Sequence, residues 1–290
     1  MTVTTTSSSR SSSSSARSAS GKERALELLR SGVADLLSSA GWREALAFRR
    51  RFHSYSFFNT ALIQSQRPDA TLVAGFRAWQ KHGRQVRKGE KGIAILAPML
   101  KRDEDATDPS EKRVIGFRIV HVFDVSQTDG DPIPTPEPPL LLEDDPEDVE
   151  RITGLHELLV EHCGASGVTV RFDLEPDSSA LGYYRPNGPE IAVRSDLGPV
   201  QAFKTLTHEI AHWQLHTGQS DRHIAELEAE STAFLVADAL GIDTSTYSFA
   251  YLAGWAPSLE ALMQAGEAAS KAADTILALL GCAKRPSVDS

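Results

Sequence analysis

The sequence is poor in cysteine, with only Cys163 and Cys282 in 290 residues. Two cysteines form no disulfide framework and no cysteine-based metal site, which fits a reducing cytoplasm. Runs of 18 or more apolar residues are also absent, so we expect no membrane-spanning helix. These absences predict a cytoplasmic protein whose fold rests on packed apolar cores, for which 41% hydrophobic residues suffice.

The first 20 residues lack both acidic residues and an apolar core. They are mostly Ser and Thr, with Arg10 and Arg17, and the missing apolar core excludes a secretory signal. An organellar transit peptide would share this composition. We expect a disordered tail instead.

Acidic and basic residues are unevenly divided along the chain. Residues 1–128 hold 21 Lys and Arg against 12 Asp and Glu, a net charge of +9. Residues 129–290 hold 9 against 27, a net charge of −18, so the whole chain carries −9. Such asymmetry predicts two modules, of which the basic one meets a polyanion.

Hydrophobic periodicity predicts an α+β protein in which a linker joins two domains. The predicted boundaries are a Ser/Thr-rich tail at 1–20, a basic α+β domain at 21–128, an acidic Pro-rich linker at 129–148, a second domain at 149–256, and a C-terminal helix and tail at 257–290. Helices are predicted for residues 22–37, 42–52, 57–66, 76–81, 147–163, 203–213, 221–240 and 258–280. Strands are predicted for residues 93–100, 114–125, 168–174, 181–185 and 190–194, with an acidic loop at 103–111.

The stretch His208-Glu209-Ile210-Ala211-His212 lies in one of these helices. Two imidazoles four residues apart lie on one face of a helix and can bind a single zinc ion. The Glu209 carboxylate beside them can then act as the general base of a hydrolytic reaction. H-E-x-x-H also occurs by chance on surface helices. Whether this motif is a metal site therefore depends on the surrounding sequence.

A catalytic zinc ion needs a third protein ligand. The longer pattern H-E-x-x-H-x-x-G-x-x-H would require glycine at position 215 and histidine at position 218, where this chain has Leu215 and Gly218. That pattern is therefore excluded. His216 continues the histidine face but lies about two turns, roughly 12 Å, beyond His208. We therefore expect His216 either to contact a metal ligand without binding the metal itself, or to lie on the surface.

The next helix offers three acids, Glu226, Glu228 and Glu230. In an antiparallel helix pair, residues near 225–228 lie level with the imidazoles. We predict Glu226 as the third ligand, with Glu228 as the alternative. Glu230 is predicted to hold a liganding histidine through its second ring nitrogen. The competing interpretation is a solvated acidic helix face.

Further residues are candidates for substrate binding. The strand 190–194 precedes the metal helix and can offer an edge to an extended peptide. Tyr183, Tyr184 or His223 can help to hold an oxyanion, although each is equally suited to packing or to the surface.

Four segments together resemble the ImmA/IrrE-type zinc metallopeptidases of the gluzincin group. They are Gly182, Ile191–Val193, Thr205–His212 and Glu226–Glu230. The resemblance covers residues 150–250 and implies a zincin-like metallopeptidase domain with a small β-sheet. Gluzincins take their third zinc ligand from a Glu placed four before an acidic or amide residue that orients a histidine. Glu226 and Glu230 have that spacing.

The N-terminal half combines positive charge with aromatic rings. Between Arg43 and Lys101 there are twelve Lys and Arg against three acids. Cations bind phosphates and exposed rings stack on bases, which predicts binding of single-stranded nucleic acid. Phe48, Phe57 and Phe76 are expected in the core. The predicted DNA-binding residues are Arg49, Arg50, Arg51, Arg77, Lys81, Arg84, Arg87, Lys88 and Lys91.

Three segments of the N-terminal half together resemble the N-terminal domain of ArdC-type antirestriction proteins. They are Phe52–Asn59, Ala74–Trp79 and the glycine-punctuated basic loop Gly83–Ile93. The resemblance covers residues 40–125 and implies a domain that binds single-stranded DNA. In that family a zinc-peptidase-like domain follows, which is the arrangement expected here.

The sequence thus predicts a DNA-associated zinc metalloprotease that binds single-stranded DNA and cuts an unidentified protein. The first alternative is a DNA-coating antirestriction protein that does not catalyse and whose zinc site is structural or idle. The second is a protease that regulates a repressor.

Overall fold

The structure of the protein, a computed structural model, describes residues 38–52, 54–102, 112–133, 145–216, 218, 221–244 and 258–282. The helix predicted for residues 22–37, the acidic loop at 103–111, the tail at 1–20 and most of the linker lie outside the described residues. In chain order the elements are α1 (Ser39–Arg49), a 3-10 turn (Arg50–Phe52), α2 (Phe57–Gln66), β1 (Val73–Gly75), α3 (Phe76–Lys81), β2 (Gln85–Val86), β3 (Ile93–Arg102), β4 (Lys112–Asp124), a 3-10 turn (Val125–Gln127), β5 (Thr128–Asp129), α4 (Pro146–Ala165), β6 (Thr169–Leu174), β7 (Gly182–Arg185), β8 (Glu190–Arg194), α5 (Pro199–Leu215), α6 (Arg222–Leu240) and α7 (Leu259–Leu279).

The chain divides into two compact units. Among the described residues, 62–130 form the first unit, and 38–61 together with 131–282 form the second. The sequence predicted a single boundary at residues 129–148. A second boundary between the units falls inside α2. Helix α1 therefore belongs to the same unit as the C-terminal half of the chain.

The first unit is built around a long antiparallel ribbon. β3 and β4 pair from Ile93↔Val122 to Arg102↔Lys112, with an irregularity between Met99 and Leu100. β1 pairs with the other side of β4, and β2 pairs with β5 in a separate two-stranded sheet. Trp79 of α3 is fully buried, and its Nε1 donates to the Phe123 carbonyl at 2.8 Å.

The second unit contains a three-stranded sheet in the order β6-β8-β7. β8 pairs in parallel with β6 and antiparallel with β7. Its residues Ile191, Ala192 and Val193 are all at most 1% exposed. A run of three consecutive buried apolar residues is typical of a central strand that is covered on both faces. The prediction that this strand offers a free edge was therefore wrong.

Helices α1, α6 and α7 pack together in the second unit. Trp42 of α1 is fully buried, and its Nε1 donates to the Ser231 hydroxyl of α6 at 2.9 Å. Arg49 pairs with Asp274 of α7 at 3.4 Å. These apolar and charged contacts explain why the basic N-terminal helix belongs to the acidic half of the chain.

The α+β class and most predicted elements are confirmed, because their periodicity, caps and turns are local signals. α6 begins after the Asp221 side chain, which accepts from the His223 amide at 2.9 Å, and ends at Gly241 with a left-handed φ of 77°. Phe76 was expected in the core and is 48% exposed, because it begins the short helix α3 and meets Phe123 only edge-on. No described helix is long and apolar enough to cross a bilayer.

Candidate metal centre

Helix α5 presents His208 and His212 on the same face. The helix starts with Pro199 at a position where no amide hydrogen is needed, and it buries Phe203, Leu206 and Ile210. The two imidazoles lie one turn apart on the remaining face. Their Nε2 atoms are 3.1 Å from each other.

Helix α6 brings a carboxylate to both histidines. The Glu226 Oε2 atom lies 3.5 Å from His208 Nε2 and 3.7 Å from His212 Nε2. The three ligand atoms all lie within 4.8 Å of one another. These separations are close to the edges of a tetrahedron around an ion with bonds of about 2.0–2.2 Å.

The other two acids of α6 have different partners. Glu230 Oε2 is 3.1 Å from His208 Nδ1, on the side of the ring that faces away from Glu226. Glu228 Oε2 is 2.8 Å from His216 Nε2. The two candidates for the third position are thus separated in space, since only Glu226 has its carboxylate next to both rings.

The electrostatics of the cluster favour a positive charge. Burial disfavours the imidazolium form of His208, but hydrogen bonds to the Glu226 and Glu230 carboxylates outweigh it and raise the pKa of His208 to about 10. Hydrogen bonds from His208 and His212 hold the pKa of the Glu226 carboxyl far below its usual range. Either a proton or a metal cation can supply the positive charge that this environment stabilises.

Glu209 lies beside the cluster and is 7% exposed. Burial raises the pKa of its carboxyl, while the neighbouring histidines and the Tyr184 amide hydrogen that it accepts act in the opposite direction. Gly182 of β7 allows this close approach. A Cβ atom on Gly182 would lie 3.2 Å from Glu209 Cγ and 2.7 Å from Thr205 Cγ2.

A cavity of about 800 Å³ exposes the cluster. Tyr183 and Tyr184 line it, whereas His223, the third residue suggested for an oxyanion, is absent from its walls. Sequence reasoning missed Lys204 and Arg222, which also line the cavity. Each lies one helical turn before a residue of the cluster, His208 or Glu226, and this spacing was visible in the sequence.

Two of the nine cations predicted to bind DNA are buried. Arg49 is 5% exposed and pairs with Asp274. Arg84 is 7% exposed and donates to the Thr128 hydroxyl and to the carbonyls of Thr128 and Gly130 at 2.8–3.1 Å. A run of arginines or a basic loop does not distinguish buried cations from exposed ones, so this burial could not be predicted from the sequence.

The other predicted cations differ in their surroundings. Arg50 pairs with Asp238 at 3.3 Å, and Arg87 donates to Glu90 at 2.8 Å. Arg51 is exposed, with its guanidinium 6.0 Å from the Phe48 ring centroid. Of the predicted cations in the first unit, Arg77, Lys81, Lys88 and Lys91 are exposed and make no ion pair among the described contacts.

The fold and the site together define an α+β protein with a His/His/Glu cluster and an adjacent buried carboxylate. Comparison with known families adds the N-terminal part. Residues 26–123 match the N-terminal domain of anti-restriction factor ArdC. This part of the chain is therefore similar to the ArdC N-terminal domain.

Curated relatives extend the similarity beyond that domain. An uncharacterised protein of Bacillus anthracis is 24% identical over 278 residues, which cover 81% of this chain and 47% of the relative. DNA primase TraC of Escherichia coli is 28% identical over 232 residues, 68% of this chain and 20% of the primase. Protein y4eC of Sinorhizobium fredii is 30% identical over 157 residues, 49% of this chain and 45% of the relative. The chain spans less than half of the length of these relatives.

The fold also resembles a solved structure. The Mn(II)-bound crystal structure of the antirestriction protein ArdC from plasmid R388 superimposes with a TM-score of 0.54 at 21% identity. The match covers 82% of this chain and 92% of ArdC. The chain therefore shares the ArdC fold across most of its length.

Proposed function

We propose that this chain is an ArdC-like, DNA-associated metallopeptidase that binds zinc and hydrolyses peptide bonds in a protein target. The observation that carries the proposal is the convergence of His208, His212 and Glu226 beside the buried Glu209, in a cavity that is open to a substrate. The ImmA/IrrE-type sequence features agree with this assignment.

The residues of the cluster fit a catalytic zinc ion. Two imidazoles and one carboxylate form a ligand set used by zinc hydrolases, which leave a fourth position open. The Glu226 side chain is 51% exposed, so its carboxylate lies on the accessible side of the cluster. Since ArdC of R388 was crystallised with Mn(II), both metals belong in any binding test.

Glu209 is assigned the proton transfers. When bound, a zinc ion polarises a peptide carbonyl and lowers the pKa of water at the site. Glu209 takes a proton from the attacking water and returns it to the leaving amine. Its burial raises the pKa of the carboxyl and favours proton uptake, and the Tyr184 amide hydrogen holds its position.

The edge of β7 is the proposed peptide-binding element. Among the described strands, β7 pairs on one side only, with β8. The Leu181 carbonyl accepts from the Arg194 amide at 2.8 Å. Because polar backbone groups alternate in an antiparallel pair, those of Gly182 point away from β8. An extended peptide can pair with them along the cavity wall.

The ArdC-type domain is assigned the binding of single-stranded DNA. Support comes from the net charge of +9 over residues 1–128 and from the exposed Arg77, Lys81, Lys88 and Lys91. We leave Arg49 and Arg84 out of this surface because both are buried.

The proposal is tested with Glu209→Gln. The amide keeps the size of the side chain but cannot act as a base, so cleavage of denatured casein or of a quenched peptide library should fall by about 10²–10⁴-fold. Zinc affinity and DNA affinity should be unchanged. The control is Glu161→Gln, an exposed acid of α4.

The same variant separates the alternatives in cells. Protection of unmodified DNA from a restriction enzyme should be lost with Glu209→Gln if cleavage is required. Full protection by this variant would support the DNA-coating alternative and reject the peptidase as the source of the biological activity.

A further inference from the structure

A chain of three side chains leads away from the metal cluster. His212 Nδ1 is 3.0 Å from His216 Nδ1, and His216 Nε2 is 2.8 Å from Glu228 Oε2. The His216 and Glu228 side chains are only 9% and 15% exposed. His216 is the C-cap of α5, with φ −120° and ψ 63°. Because its backbone has left the helix, the two-turn spacing from His208 no longer sets where its ring lies.

With both imidazoles neutral, the hydrogen-bonding capacity of each group sets the direction of every hydrogen bond in this chain. The Glu228 carboxylate can only accept, so it accepts from His216 Nε2–H. Neutral His216 then has a lone pair on Nδ1, which accepts from His212 Nδ1–H. The consequence is that His212 presents the lone pair of Nε2 to the cluster.

His208 also directs its Nε2 atom at the cluster, but its ring is held by a single hydrogen bond to a carboxylate. Its Nδ1–H donates to Glu230 at 3.1 Å, so a metal ion that displaces the Nε2 proton meets an Nε2 lone pair that faces the cluster. Two Nε2 lone pairs then lie 3.1 Å apart, next to the Glu226 carboxylate. Three acceptors at this distance need a cation between them.

We propose that His216 and Glu228 form a positioning relay for His212, which fixes its tautomer and ring orientation for metal binding. The inference rests on the proposed metal centre. His216 contacts the side of the His212 ring opposite Nε2, so it is a positioning residue and not a fourth ligand. The two histidines of the centre are thus held differently, His208 directly by a carboxylate and His212 through a second imidazole.

The relay is tested by metal affinity. The full-length protein is stripped of metal, and Zn²⁺ and Mn²⁺ dissociation constants are measured by competition with a chromogenic chelator. His216→Ala and Glu228→Ala should each weaken binding by about 10- to 100-fold, the usual effect of removing a group that orients a ligand. Glu228→Gln should fall between Glu228→Ala and wild type, because its amide oxygen still accepts from His216 but carries no charge.

Double variants distinguish a relay from two separate effects. His216→Ala combined with Glu228→Ala should bind no more weakly than the weaker single variant, because the two residues act as one unit. His216→Ala combined with Glu230→Ala should lose the product of both effects, because these residues hold different histidines. Independent, multiplying losses for His216 and Glu228 would overturn the relay.

The remaining outcomes separate the relay from the metal centre itself. Wild-type protein that binds neither metal, or His212→Ala that binds as wild type does, would reject the centre. Wild-type binding that is unchanged in His216→Ala and Glu228→Gln would reject only the relay. The absorption spectrum of bound Co²⁺ should be that of four-coordination in wild type and in His216→Ala, and a lower coordination number in His216→Ala would make His216 a ligand and overturn the relay. Glu161→Gln serves as the matched acid-to-amide control.

Discussion

Gly182 occupies the narrow space between β7 and α5. A Cβ atom there would lie 2.7 Å from Thr205 Cγ2, 3.0 Å from the Ala192 carbonyl oxygen and 3.2 Å from Glu209 Cγ. Only glycine lets the strand approach the helix closely enough for the Tyr184 amide to reach the Glu209 carboxylate. At the scale of single residues, the position of the proposed base therefore depends on a missing side chain.

We predict that Gly182→Ala destabilises the protein by about 1–3 kcal/mol, because it overpacks a closed contact. Peptidase activity should fall as well, since the new methyl group displaces Glu209. Urea unfolding and peptide cleavage measure the two effects.

The control is Gly154→Ala on α4, where a Cβ atom meets nothing within 4 Å. A helix-interior change of this kind should stabilise by roughly 0.5–1 kcal/mol. Equal stability and activity of both variants would contradict the argument.

At the scale of elements, α1 is part of the core that supports the candidate metal centre. Trp42 is fully buried and bonded to Ser231, which follows Glu230 on α6. Gly266 of α7 would place a Cβ atom 2.4 Å from the Phe57 ring, so glycine at this position admits the ring of α2. The N-terminal helices thereby hold α6 and α7, and α6 carries Glu226, Glu228 and Glu230.

The Trp42–Ser231 hydrogen bond makes this packing testable. Trp42→Phe and Ser231→Ala should each destabilise by about 1–3 kcal/mol, because each leaves a buried polar group without its partner. In the double variant the two losses should not add, and the coupling should be at least about 0.5 kcal/mol. Chemical unfolding measures all four proteins. As the control, the losses of stability in Ser231→Ala and Tyr183→Phe should add. Additive losses for Trp42→Phe and Ser231→Ala as well would argue against the Trp42–Ser231 hydrogen bond.

For the whole molecule, the division of charge parallels the two proposed tasks, DNA binding and peptide hydrolysis. The part that matches the ArdC N-terminal domain carries the exposed Arg77, Lys81, Lys88 and Lys91, and the acidic half carries the His/His/Glu cluster. The acidic half also uses some of the positive charge of the N-terminal residues, since Arg49 and Arg50 pair with Asp274 and Asp238. The positive charge available for the proposed DNA binding is therefore smaller than the count of basic residues implies.

Changing four exposed cations to Ala should weaken the binding of single-stranded DNA and reduce its salt dependence. Each lost phosphate contact reduces the log–log slope by about 0.7, so the slope should fall by up to roughly 3. Fluorescence anisotropy at several salt concentrations measures this. The four are Arg77, Lys81, Lys88 and Lys91, and the matched control changes Arg151, Arg171, Arg185 and Lys271. An unchanged slope in the first variant, or an equal loss in the control, would reject this surface.

Local signals in the sequence determined the elements and the composition of the centre. The periodicity of α5 places His208 and His212 on one face, and Asp221 and Gly241 mark the two ends of α6. These effects act over a few residues, so they can be read without knowing the fold.

Tertiary structure decided which groups meet. Glu226 and Glu228 are chemically equivalent in the sequence, and only the packing of α6 on α5 brings one carboxylate to both histidines and the other to His216. The burial of Arg84 and the central position of β8 have the same origin. Contacts between distant segments depend on the packing of the whole chain, whereas the sequence by itself determined which residues were available to make them.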